Sequence, residues 1–186
     1  MAEAKHDIIL FNRISNDDRL ALNTLFSNYY KKLCTFASTY LHNEEEAEEI
    51  VADVFYHLWK NRHSLQIEKN VKSYLYVAVK HAALAALKKR RPEFDDMEEV
   101  MLLTNLPDTA SSENGLDYLE LQQYVERAID RLPMRCRQIF IMNRFDGLRY
   151  KEIGEILDIS EKTVENQIVK ALSIIRASLH KYQAIS

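Results

Sequence analysis

The scarcity of chain breakers constrains this sequence most. Its 186 residues include three glycines and three prolines, against averages of ~7% and ~5%. Within the long stretches that hold neither, apolar residues recur every three or four positions, the repeat of a helix with one buried face. Folds built on phosphate-cradling loops are excluded, because neither GxGxxG nor GxxxxGK followed by Ser or Thr occurs. The expected class is all-α.

Apolar residues at 47% can build real cores, and charged residues at 28% suit a protein in water. No apolar run approaches the ~18 residues of a membrane span, so no membrane insertion is expected. The first residues, "MAEAKHDIILFNRI", lack the cationic, apolar and small-residue pattern of a secretory signal. Cys34 and Cys136 stand far apart without CxxC context, which favours reduced, buried thiols over a disulfide or a metal site. The expected location is the cytoplasm. The six histidines, His6, His42, His57, His63, His81 and His180, show no HExxH-type spacing. Neither a metal, a cofactor nor an enzymatic activity is expected, and the run Glu44 to Glu49 reads as a solvated helix start.

Charge divides the chain. Basic residues number 25 and acidic residues 28. Residues 1–91 carry 14 basic and 11 acidic side chains, and residues 127–186 carry 11 and 7. Between them, Pro92 to Glu126 holds ten acids and neither Lys nor Arg. "PDTASSENG", Pro107 to Gly115, has linker composition. Two small helical domains are expected, 1–91 and 119–186, joined by an acidic linker over 92–118.

Three main helices are expected in the first half. One runs from about Asp17 to Tyr40, with Leu22, Leu25, Phe26, Tyr29, Leu33, Phe36 and Ala37 on its apolar face. The second follows Asn43, a good N-cap, and its early glutamates suit the positive end of the helix dipole. The third, about Val71 to Arg90, sets Lys72, Tyr76 and Lys80 four apart and ends in "KKRR". Basic residues alternating with an aromatic are one way to hold single-stranded nucleic acid.

In the second half one helix stops before Pro133. The next begins at that proline, whose missing N–H costs nothing in a first turn, and Asp146–Gly147 closes it. A short helix, Tyr150 to Leu157, a turn at Asp158–Ser160 and a last helix of about twenty residues complete a helix-turn-helix pattern. Val164, Ile168, Ala171, Leu172 and Ile175 are expected in the core. Lys162, Thr163, Glu165, Asn166, Val169 and Lys170 remain outside near the helix start, the end such motifs set against base edges.

"AIDRLPMRCRQIFIMNRFDGLRYKEIGEILDISEKTVENQIVKALSIIRASL", Ala128 to Leu179, resembles the C-terminal domain of sigma-70-family initiation factors of the extracytoplasmic-function (ECF) group. "AEEIVADVFYHLWK" and "VKSYLYVAVKHAALAALKKR" resemble that group's N-terminal domain. The resemblance implies a factor that binds core RNA polymerase, directs it to promoter DNA and helps melt the minus-ten element. An anti-sigma factor is a further implied partner. It assigns Arg149, Lys162, Thr163, Glu165, Asn166 and Lys170 to the minus-thirty-five element. Asn61, Arg62, Lys72, Tyr76 and Lys80 fall to the minus-ten element, and Asp53, Tyr56 and Lys60 to polymerase. The sequence departs from the family at Ala52 (usually glutamine), His81 (usually asparagine) and Arg149 (often a Ser or Thr cap). Gly154 replaces a usual alanine, a weakening of ~1 kcal/mol in helix propensity. The competing reading is a helix-turn-helix regulator that acts without joining polymerase. A response regulator is disfavoured, since residues 1–91 show no alternation of strands and helices.

Overall fold

A computed structural model describes residues 2–41, 43–67, 70–90 and 117–183. All eight elements among the described residues are helices, as the low breaker content predicts. The chain divides into two compact units, Met1–Asp95 and Asp96–Ser186. Most of the acidic segment lies outside the described residues; its last three acids, Asp117, Glu120 and Glu126, fall within a helix that starts at Asp117.

The first unit contains α1 (Ala2–Ser15), α2 (Arg19–Leu41), α3 (Glu44–Lys60) and α4 (Val71–Arg90). Three main helices are expected here from the sequence, and α1 is a fourth. Its buried positions are Asp7, Leu10, Phe11 and Ile14, a helical repeat in which one member is a carboxylate. That charge hides the stripe from an apolar count. It is accommodated because the Tyr29 hydroxyl donates to Asp7 across the α1–α2 contact, so the buried acid has the partner it needs.

Helix α2 begins after Asp18, whose carboxylate accepts from the Leu20 and Ala21 N–H groups at 2.9 and 3.1 Å. Its buried stripe is Ala21, Leu25, Tyr29, Leu33, Phe36, Ala37 and Tyr40; Leu22 and Phe26, expected on that face, are half-buried at its edge. Helix α3 is capped as predicted, with the Asn43 side chain accepting from Glu45 and Glu46 N–H at 3.0 and 3.4 Å. At the centre of the unit the Phe36 ring sits 5.4 Å from Tyr40 and 5.1 Å from Tyr76. Such aromatic pairs add ~0.5–1.5 kcal/mol to plain area burial.

The second unit contains α5 (Asp117–Asp130), α6 (Met134–Arg144), α7 (Tyr150–Leu157) and α8 (Glu161–Gln183). Pro133 is the N-cap of α6, one residue before the first-turn place expected for it, and Gly147 takes a φ of +67° after the helix. That left-handed residue lets the Leu148 N–H return to the Met142 carbonyl at 2.9 Å. The Tyr124 hydroxyl donates to the Ser178 carbonyl at 3.0 Å and ties α5 to α8. Cys136 is buried and Cys34 half-buried, and both are free thiols. Burial pushes both thiols up from their ordinary values, away from the thiolate form.

Candidate nucleic-acid interface

The helix-turn-helix is built by α7 and α8. Ile153, Ile156 and Leu157 bury one side of α7, while Val164, Ile168, Ala171 and Ile175 bury one side of α8. Leu172, expected in that core, is 47% exposed; one residue beyond Ala171, it has rotated past the buried edge. The turn needs two special residues. Asp158 adopts φ 58°, ψ 49° at the end of α7, a left-handed conformation that Asp tolerates better than most residues. Gly154 is buried, and a Cβ there would lie 2.7 Å from the Ile159 carbonyl oxygen. The same two residues are linked by the Ile159 N–H donating to the Gly154 carbonyl at 2.9 Å. Gly154 therefore permits the tight return of the chain, which corrects its reading as a mere loss of helix propensity.

Ser160 caps α8, its Oγ accepting from the Thr163 N–H at 3.0 Å. The Thr163 hydroxyl lies 2.8 Å from the same Oγ, so Thr163 belongs to the cap and is only half-exposed. Lys162, Glu165, Asn166 and Lys170 are exposed, as is Val169 at 62%. At 3.6 residues per turn Lys162, Asn166 and Val169 share one line, flanked by Glu165 and Lys170. Lys162 Nζ contacts Glu165 Oε2 at 2.7 Å. The pair is exposed and contributes little to stability, but it presents both side chains at the helix start. Arg149 stands exposed at the entry to α7. A guanidinium has no acceptor for a cap; instead the Glu152 carboxylate accepts from the Arg149 N–H at 2.8 Å.

In the first unit Asp53, Tyr56 and Lys60 are all exposed on one side of α3. Tyr56 is 57% exposed, with Lys60 Nζ 5.9 Å from its ring centre. Phe55, by contrast, is buried against Phe26. Asn61 ends α3, and its carbonyl accepts from the Ser64 and Leu65 N–H groups at 3.0 and 2.9 Å. Lys72 and Lys80 lie half-buried along α4.

Two residues assigned to the minus-ten element are placed differently. Tyr76 is fully buried and packs on Phe36, so its ring is part of the core and offers no face to a base. Its spacing from Lys72 and Lys80 is real, but α4 is packed against α1, α2 and α3, and the centre of that helix turns inward. Arg62 is engaged inside the protein. Its Nε contacts Asp17 Oδ1 at 2.5 Å, Nη1 donates to the Trp59 carbonyl at 2.8 Å, and the guanidinium lies 4.2 Å from the Trp59 ring centre. Asp17 and His63, which share this cluster, were not read from the sequence as site residues; they lie more than forty residues apart, and no local pattern links them. Of the terminal cations of α4, Arg90 pairs with Glu46 at 2.7 Å.

Among the described residues no group of three His, Cys, Asp or Glu side chains could hold a metal, and no helix is long and apolar enough to cross a membrane. What the geometry defines is a two-unit helical protein with a helix-turn-helix in its second unit. Comparison with known proteins gives the family. Residues 25–93 match the profile described as "Sigma-70 region 2", and residues 122–175 match "Sigma-70, region 4". The chain is 29% identical over 182 residues to an ECF RNA polymerase sigma-E factor of Haemophilus influenzae, covering 94% of this chain and 96% of that one. It is 25% identical over 174 residues to the ECF RNA polymerase sigma factor SigW of Bacillus subtilis, covering 90% and 93%. The solved structure of CnrH in complex with the cytosolic domain of CnrY shares the fold at a TM-score of 0.62, with 18% identity, 94% of this chain and 97% of that one. The sigma factor RpoE of Bartonella quintana, solved with the anti-sigma factor NepR, gives a TM-score of 0.61 at 19% identity, covering 85% and 96%. The chain belongs to the sigma-70 family, in its ECF group.

Proposed function

We propose that this chain joins core RNA polymerase in the cytoplasm and divides promoter recognition between its two units. The second reads the minus-thirty-five element through α8. Asn166 offers a side-chain amide suited to a base edge, and Lys162, Lys170 and Arg149 supply phosphate contacts. Glu165 is placed to accept from a cytosine amino group, and Thr163 acts through the cap. The first unit meets polymerase through the exposed α3 stripe Asp53, Tyr56 and Lys60. It receives the melted minus-ten strand along the 61–67 loop and α4, with Asn61, Lys72 and Lys80 as contacts.

The observation that carries this reading is the pairing of both sigma regions, in order, with a recognition helix that keeps Asn166 and Lys170 outward. A net charge of −3 is compatible with it, because promoter affinity is shared with polymerase and a strongly basic free chain would favour sequence-independent binding. An anti-sigma protein is proposed as a further partner, supported by the fold relative RpoE, solved in complex with the anti-sigma factor NepR. The test is run-off transcription from a cognate promoter with purified chain and core polymerase. Initiation that requires both components supports the reading. Tight promoter binding by the chain alone, with no effect on polymerase, favours the regulator instead.

A further inference from the structure

The contact between the α1–α2 turn and the segment after α3 joins two loops distant in sequence. Asp17 has φ +67°, so its side chain leaves the turn in a direction that a right-handed residue would not give. Its carboxylate takes Arg62 Nε at 2.5 Å, and His63 Nε2 lies 3.3 Å from the same oxygen. His63 Nδ1 is 3.1 Å from the Ser15 carbonyl. Both ring nitrogens thus face oxygen atoms of the α1–α2 turn. Arg62 is fixed from its other side by the Trp59 ring and carbonyl. Next to this cluster, Arg13 contacts Asp18 at 2.7 Å and Asp18 caps α2, so the turn that presents Asp17 is itself held. The hydrogen bond from Arg62 holds the Asp17 carboxyl below the ordinary carboxylate range, as expected where the ionised form makes the contact.

All of this lies at the start of residues 61–67, the loop that on the proposed function receives the minus-ten strand. It also recruits α1 and the turn after it, both of which precede the region 2 match at residue 25. We propose that Asp17, Arg62 and His63 form a latch through which the α1–α2 turn pre-sets the loop after α3, making them positioning residues for minus-ten recognition and not contacts to DNA. An ordered loop binds a flipped or unstacked base without first losing its own conformational freedom. Neither Arg62 nor His63 needs to reach a phosphate for this role.

The left-handed backbone at Asp17 supplies a clean test. Glycine adopts positive φ without strain, so Asp17→Gly removes the carboxylate and leaves the turn intact. Asp17→Asn also tolerates that backbone and keeps one oxygen for Arg62. Both variants are assembled with core polymerase and assayed for affinity to single-stranded minus-ten DNA and for permanganate-reactive thymines at a promoter. Hydrogen exchange of the Ser64 and Leu65 amides in the free chain reads the loop directly. Asp17→Gly should weaken single-strand binding about three- to tenfold, the scale of a small number of exposed charged contacts. It should also speed exchange at those amides, with polymerase affinity and melting temperature kept. Asp17→Asn should fall between it and the wild type. Wild-type binding and exchange in Asp17→Gly overturn the latch; so does a parallel loss of polymerase affinity and helicity, which marks a general structural role. If the wild-type chain itself fails to support initiation, the proposed function falls and the positioning role falls with it.

Discussion

The two units treat their polar side chains in opposite ways. In the second, α8 is docked along a single stripe, Val164, Ile168, Ala171 and Ile175, and the rest of its first three turns faces away from the core. Polar residues there remain outward, apart from Thr163 and Gln167, which is half-buried and accepts from Cys136 Sγ at 2.9 Å. In the first unit α4 meets three other helices, and long side chains near its middle are drawn into packing. Tyr76 is in the core, and Arg62, in the loop after α3, is bound to Asp17 and Trp59. Two lysines eight residues apart are half-buried in α4 (Lys72, Lys80) and exposed in α8 (Lys162, Lys170), so the same spacing means different things in the two units. Both helices meet three others, so what decides availability is how far round the helix the packing extends: no α4 residue from Val71 to Lys80 is exposed, whereas Lys162, Glu165, Asn166 and Lys170 of α8 are.

The sharpest way to break this contrast is Tyr76→Ala. If Tyr76 is core, truncation should destabilise the first unit by about 3–5 kcal/mol, the usual cost of emptying a large aromatic site. Urea unfolding followed by circular dichroism checks this in the whole chain. Native stability with selective loss of single-stranded DNA binding would instead return the ring to the DNA face and undo the distinction between the units.

A smaller effect tests the turn of the second unit. Gly154→Ala gains ~1 kcal/mol in helix propensity, yet its Cβ would meet the Ile159 carbonyl oxygen at 2.7 Å. Backbone cannot swing aside as a side chain can, and overpacking of this kind costs ~1–3 kcal/mol. The expected outcome is net destabilisation of about 1 kcal/mol with a matching fall in minus-thirty-five affinity. A stabilised variant with intact DNA binding would show that the turn can open to make room.

These cases show which features the sequence makes legible. Helix class, the caps at Asn43 and Ser160, the stop before Pro133 and the turn at Gly147 are local, and each follows from residues within a few positions of one another. The outward face of α8 is legible because one apolar stripe defines its complement. Tyr76 is not legible, since its burial depends on Phe36, forty residues upstream. Helix α1 is hidden by Asp7, whose partner Tyr29 is on another helix. Gly154 reads as a weakness until the approach of Ile159 is seen. In each case a tertiary partner supplies meaning that local pattern cannot.

The finest distinction lies within the recognition face itself, between residues that read bases and residues that meet phosphates. Asn166→Ala should cost ~1–3 kcal/mol at a matched promoter and much less on random DNA, with the salt dependence of binding unchanged. Lys162→Ala should behave in the reverse way. In the free protein Lys162 is held by Glu165 at 2.7 Å with both side chains largely exposed, so removing it should alter stability by no more than ~0.5 kcal/mol. On DNA the lysine exchanges that carboxylate for a phosphate and releases a counterion. Its loss should lower the slope of log K against log salt by about 0.9 and weaken cognate and random sequences alike. Glu165 then faces the DNA without its cation, so the weakening should be strongest at low salt, where repulsion is least screened. Polymerase holoenzyme titrated onto matched and scrambled minus-thirty-five fragments across a salt series measures all three quantities. Equal losses on both fragments for Asn166→Ala, or an unchanged slope for Lys162→Ala, would show that the face does not divide its work in this way.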